Sequence, residues 1–166
     1  IRRCIFTRVM LLCLLLMASG ASGVSPISST PAQSLPLEYE VKAAFLYQFS
    51  KFVEWPVNAF TASPNTIYIG VVDGGPMASA LQAIEGKEAK GRQVVVKRFK
   101  GLKDLEFCHI LFISSGMEGR LAEILDQLKG ASTLTVSDID GSARRGGMIN
   151  LITVEDKVQF EINVDA

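Results

Sequence analysis

Between residues 38 and 56 the chain reads EYEVKAAFLYQFSKFVEWP, and its apolar positions recur at the three- and four-residue spacing of a helix. Leu37, Val41, Ala44, Phe45, Gln48 and Phe52 fall on one face, while Leu46, Phe49 and Val53 widen the stripe around the cylinder. Trp55-Pro56 closes the segment, because proline disfavours helical geometry in the residue before it and brings no N–H to the hydrogen-bond ladder. So broad a stripe must be covered. The spacing predicts a helix packed in the core of an α/β domain, and part of the same face is a candidate docking surface for another protein.

Downstream the period shortens to two. Residues 66–72 (TIYIGVV) form a β-branched run that ends in Asp73-Gly74-Gly75-Pro76, where Pro76 suits the first turn of a helix reaching about Gly86. Residues 92–99 read as a second strand, 102–106 as a short helix or turn, and 109–113 as a third strand. Ser114-Ser115-Gly116 opens a helix over 117–129 with Leu121, Ile124, Leu125 and Leu128 on its apolar face. A fourth strand, 133–136, closes at Ser137-Asp138, and residues 148–153 and 157–164 alternate around a short Val154-Glu155-Asp156 connection as an antiparallel hairpin. Strands alternating with helices predict an α/β three-layer sandwich: a mostly parallel sheet flanked by helices, with an antiparallel C-terminal hairpin, Rossmann- or flavodoxin-like. The sequence stops at Asp165-Ala166 directly after a strand, so that edge is expected to be bare, a hazard for aggregation or the mark of an unfinished domain.

The first residues add a compartment. Arg2, Arg3 and Arg8 precede an apolar core over 9–18, and small residues follow at 18–23, the pattern of a secretory signal peptide. The apolar run is about half of the roughly 20 residues a membrane-spanning helix needs. Cys4 and Cys13 sit too early for a lipoprotein, and the Arg2-Arg3 pair alone is a weak twin-arginine signal. The chain opens on Ile1, consistent with an alternative start codon or a cut fragment. The expected organisation is a signal peptide over 1–23, a Ser- and Pro-rich flexible leader over 24–36, and one domain over 37–166. Removing residues 1–23 leaves 14 basic against 17 acidic side chains. That mild acidity argues against nucleic-acid binding and against a polybasic membrane patch.

Candidate chemistry is sparse. In an open parallel sheet, ligands gather at the carboxyl ends of the strands. Asp73, Gly74, Ser114, Ser137 and Asp138 stand there and are candidates for a small polar ligand, although each is also an ordinary turn or cap residue. No GxGxxG, P-loop or GxSxG pattern is present. His109 is the only histidine and begins its strand, at the opposite end from Ser114 and Ser137, so it reads as structural or solvent-facing rather than catalytic or metal-binding. Cys108 is the single cysteine after residue 23 and precedes an apolar run, which favours a buried thiol over an intermolecular bridge. Arg144-Arg145 reads as a solvated loop more than as an anion site. Neither cofactor, metal nor catalytic group is expected.

Several spaced segments carry a family likeness: EYEVKAAFLYQFSKFVEWP, Gly91-Arg92, CHILFIS at 108–114, LTVSD at 134–138, GGMINL at 146–151 and VQFEIN at 158–163. In order and spacing they resemble the YfiR-like family of bacterial periplasmic proteins over nearly all of residues 38–163. The resemblance implies a regulator without catalysis of its own. Its best understood role is a soluble periplasmic repressor that binds the sensor part of an inner-membrane diguanylate cyclase and holds cyclic-di-GMP synthesis down, until an outer-membrane lipoprotein sequesters it. It also implies a homodimer, and carries Phe45, Phe49, Phe52, Trp55 and Pro56 into a partner interface. Two departures stand out: the family continues past the FEIN strand into a final helix, and its redox control uses paired cysteines where this chain keeps Cys108 alone after residue 23. The competing reading is a periplasmic small-ligand sensor that uses the Asp73, Ser114, Ser137 crevice and feeds a membrane partner such as a histidine kinase.

Overall fold

The computed structural model describes residues 37–166, so the expected signal peptide and leader lie outside the described residues. In chain order the elements are helix α1 (Leu37–Phe52), strand β1 (Thr66–Val72), helix α2 (Gly75–Ala80), strands β2 (Glu88–Ala89), β3 (Arg92–Phe99) and β4 (Ile110–Ile113), helix α3 (Leu121–Gln127), and strands β5 (Leu134–Ser137), β6 (Ile149–Val154) and β7 (Lys157–Ile162). The seven strands form one sheet in the order β2-β3-β1-β4-β5-β6-β7. β3, β1, β4, β5 and β6 are parallel to one another, and β2 and β7 lie antiparallel on the two edges. The expected architecture, a mostly parallel sheet between helices with an antiparallel C-terminal hairpin, is the one observed.

The two-residue period of β1 explains the layers. Ile67, Ile69 and Val71 join the core with Ala43 and Leu46 of α1 and Met77 and Ala80 of α2. Val72 joins the other core, with Leu111 and Ile113 of β4 and Leu121 and Ile124 of α3. Apolar runs in the central strands are therefore buried on both faces, as a parallel sheet requires. α1 spans the sheet: the Tyr47 hydroxyl donates to the Glu88 carbonyl of β2 at 2.8 Å, and Thr153 of β6 donates to Glu38 at 2.8 Å.

Several element boundaries differ from the sequence reading. α1 stops at Phe52, leaving Val53-Glu54-Trp55 outside the helix before Pro56. The helices expected over 76–86 and 117–129 each divide into an α-helix and a 3-10 segment, Leu81–Ala83 after α2 and Ser115–Arg120 before α3. Gly116 and Gly119 account for the second, because glycine weakens α-helical continuity. The two-residue strand β2 was not expected.

The hairpin turn is tighter than the sequence suggested. Val154 pairs with Lys157, so only Glu155 and Asp156 turn the chain, with φ of 49° and 60°. Both residues occupy the left-handed region that a two-residue hairpin demands and that suits Asn-Gly best. Asp156→Gly is expected to raise stability by about 0.5–1 kcal/mol, measured as a higher urea midpoint at unchanged slope.

Candidate functional site

The strand-end residues use their polar atoms within the protein. Ser114 Oγ donates to the carbonyls of Val72 and Asp73 at 3.1 and 2.7 Å, tying β4 to the end of β1. Ser137 Oγ, fully enclosed, donates to Ile113 O at 2.9 Å and accepts the Ile139 N–H at 3.0 Å. Asp73 is exposed and bends at a φ of 47°, and Gly74 is required for packing, since a Cβ there would stand 2.6 Å from that of Ala78. Asp138 receives the Ser115 N–H at 2.8 Å on Oδ1 and the Lys42 ammonium at 2.9 Å on Oδ2. The five residues are thus brought to the carboxyl end of the sheet as expected, with these bonds serving turn and strand closure.

Lys42 is the residue that sequence reasoning missed at this end. It is only 3% exposed and lies on the buried face of α1, which is Lys42, Ala43, Leu46 and Ser50. Besides Asp138 it reaches Glu38 at 2.7 Å, one helical turn back. Burial works against its charge, but the hydrogen bonds to Asp138 and Glu38 outweigh that and lift its pKa above the ordinary lysine value. The same contact holds the Glu38 carboxyl below its usual range, helped by Thr153.

Placing Lys42 inward turns the expected α1 face outward. Leu37, Val41 and Phe52 are 72%, 36% and 76% exposed, and Ala44 and Gln48 are exposed beside them. The correction has a physical cause: apolar side chains surround most of this helix, so spacing alone does not choose a side, whereas a buried ammonium must meet its carboxylates. Phe45 and Phe49 stack at 6.1 Å, and Phe160 of β7 meets both edge-on at 5.6 and 5.7 Å. Phe160 and Ile162, themselves 44% and 59% exposed, extend the apolar surface onto the edge strand. Their alternation along 158–162 was the sequence signal for this extension.

Trp55 and Pro56 part company with those phenylalanines. Pro56 is exposed and leads into a 3-10 turn, Val57–Phe60. Trp55 points inward, donating from Nε1 to the His109 carbonyl at 3.1 Å and meeting the imidazole edge-on. Nearby, Trp55, Phe60, Pro64, Lys90 and Arg92 line a cleft of about 400 Å³. Its cations are engaged: Lys90 with Glu54 and the Val53 carbonyl, Arg92 with the Pro64 carbonyl.

His109 is structural and wholly buried. Desolvation lowers its pKa to about 4, with Arg92 and Lys97 adding to the effect and the Ala59 carbonyl opposing it. The unfolded chain, titrating near 6.5, therefore binds a proton that the native state refuses. Stability should fall as pH drops from 6.5 towards 4, by up to about 1.4 kcal/mol per unit and about 3 kcal/mol in all, and level off below. Urea titrations at pH 7, 5.5 and 4.5 should show this slope, flattened in His109→Gln. Cys108 is buried too, and burial pushes its thiol up to about 12, which makes it unreactive at neutral pH. Arg145 is tied to Glu118 at 3.3 Å in its loop, and Arg144 is solvent-exposed.

No group of three or more potential metal ligands occurs among the described residues, and no described helix is long and apolar enough to cross a membrane. A family model described as YfiR/HmsC-like matches residues 39–166. The chain belongs to the YfiR/HmsC-like family. Members of the YfiR/HmsC-like family are periplasmic in general and serve as regulators in cyclic-di-GMP signalling, not as catalysts. A search of the curated proteins finds no match to this chain.

Proposed function

We propose that this protein represses cyclic-di-GMP synthesis by binding the periplasmic sensor part of an inner-membrane diguanylate cyclase, through the apolar face of α1 and β7. The observation that carries the reading is that face itself: a stripe of Leu37, Val41, Phe45, Phe49 and Phe52 whose outer members stand in water, continued by Phe160 and Ile162. A contiguous apolar patch flanked by polar residues is the usual form of a protein docking surface. Phe45 and Phe49, braced by Phe160, supply rigid anchors, and Phe52 the exposed knob. An outer-membrane lipoprotein that competes for the protein would relieve the repression.

The test is capture of partners from a detergent extract of inner membranes. Mass spectrometry should identify a diguanylate cyclase retained by the wild-type protein and lost with Phe52→Asp. Retention of other membrane proteins with no cyclase among them would refute the reading.

A homodimer fits the outer edge of β7, which ends the sheet. Lys157-Val158-Gln159-Phe160-Glu161 is complementary to itself: an antiparallel two-fold through Gln159 sets Lys157 opposite Glu161 and Val158 opposite Phe160. Gln159→Cys should then form an intermolecular disulfide under mild oxidation, seen as a dimer band on non-reducing gels. A monomer under the same conditions would remove this arrangement.

A further inference from the structure

His109 sits where the 55–60 segment meets β1 and the turn that leads into β4. Trp55 and Phe107 point their ring edges at the imidazole from 5.6 and 5.0 Å, while Phe60 and Tyr68 stack on it at 4.7 and 6.0 Å. The Tyr68 N–H donates to Nδ1 at 3.0 Å, so that nitrogen is unprotonated and the ring is the neutral Nε2–H tautomer. Nε2 is buried without a hydrogen-bond partner, next to the Ala59 carbonyl. The box therefore holds only an uncharged ring.

The charged surroundings reinforce this. From β3, the Arg92 guanidinium covers Phe60 at 3.8 Å and the Lys97 ammonium covers Tyr68 at 4.3 Å. Glu106, beside Phe107, is occupied by Lys97, and Glu54, beside Trp55, by Lys90. The 3-10 turn contributes Val57, Asn58, Ala59 and Phe60, and β5 contacts His109 through the Leu134 N–H; none of these can be charged. No salt-bridge partner faces the ring, and the nearest cations oppose a third.

We propose that His109 is an acid-operated latch that holds the 55–60 segment against the sheet. When a proton from solvent adds to Nδ1, the Tyr68 N–H loses its acceptor and meets a second N–H in its place. The resulting imidazolium has no carboxylate within the box and must reach water. The segment that can give way is 55–60, since the Val57–Phe60 turn has no side-chain cap at its start, only the Thr61 hydroxyl on the Asn58 carbonyl at its end, and Trp55 is fastened to the same residue through the His109 carbonyl. The latch rests on the proposed recognition face, whose exposed Phe52 ends α1 three residues before Trp55. It makes acidification of the periplasm a release signal, in which the partner's footing is withdrawn before the domain unfolds.

Two reporters are built in, because His109 is the only histidine and Trp55 the only tryptophan. On the purified protein, the imidazole resonance should titrate at least one pH unit below the free-histidine value. Trp55 emission should shift to the red with the same midpoint while far-UV circular dichroism stays native. In His109→Gln, which keeps an acceptor for the Tyr68 N–H, the Trp55 shift should vanish. A free-histidine titration, or a Trp55 shift that persists in the variant or coincides with global loss of dichroism, would overturn the latch. Should His109→Gln fail to fold, the wild-type imidazole and Trp55 midpoints decide the matter alone, coincident for a latch and separate otherwise. Failure to bind a cyclase at neutral pH would instead strike the recognition reading and leave these midpoints unchanged.

Discussion

Lys42→Met should destabilise the domain by about 3–5 kcal/mol, a fall in melting temperature of about 10–20 °C. Methionine fills the space, so packing is not the source of the loss. The source is Asp138, whose side chain is 5% exposed and keeps only the Ser115 N–H once the ammonium is gone. A buried carboxylate without its counter-charge must ionise at high cost or take up a proton. Lys42→Met/Asp138→Asn removes the charge from both partners while leaving an acceptor for Ser115, and should recover much of the loss. Urea unfolding at neutral pH checks both, and a single variant as stable as wild type would show that the pair does not fix the seating of α1.

Phe52→Asp combined with Leu37→Asp should leave folding within about 0.5 kcal/mol, because both side chains are already in water. The expected effect is on recognition. Covering a Leu or Phe by a partner is worth about 1.5–3 kcal/mol each, so losing both weakens binding by roughly a hundredfold or more. In cells, the double variant should leave cyclic-di-GMP as high as in a strain without the protein. Normal repression by the variant would place the partner surface elsewhere.

Much of the fold could be read in advance, and the reasons are physical. Strands such as TIYIGVV and CHILFIS announce themselves because a sheet buried on both faces needs nearly continuous apolar runs. The C-terminal hairpin is legible from the alternation of KVQFEI and the short polar connection before it. What escaped notice depends on tertiary partners. The two residues of β2 form a strand only because β3 offers an edge. α1 was recognised as a helix but rotated wrongly, since its outcome hangs on a lysine meeting Asp138, which is 96 residues away.

The candidate site divides in the same way. Phe45, Phe49 and Phe52, which the family likeness carries into an interface, do share one side of α1, whereas Phe160 joins them only through the folding of β7 against the helix. The family likeness groups Trp55 with them, yet the turn after α1 swings it towards His109. His109 was read as an isolated residue, and its box of four rings is drawn from segments up to 54 residues apart, beyond the reach of any local pattern.

The decisive measurement is the cellular level of cyclic-di-GMP after deletion of the gene. It should rise and return to the starting level when the wild-type protein is supplied again. An unchanged level, in cells shown to export the protein to the periplasm, would contradict repression of a diguanylate cyclase.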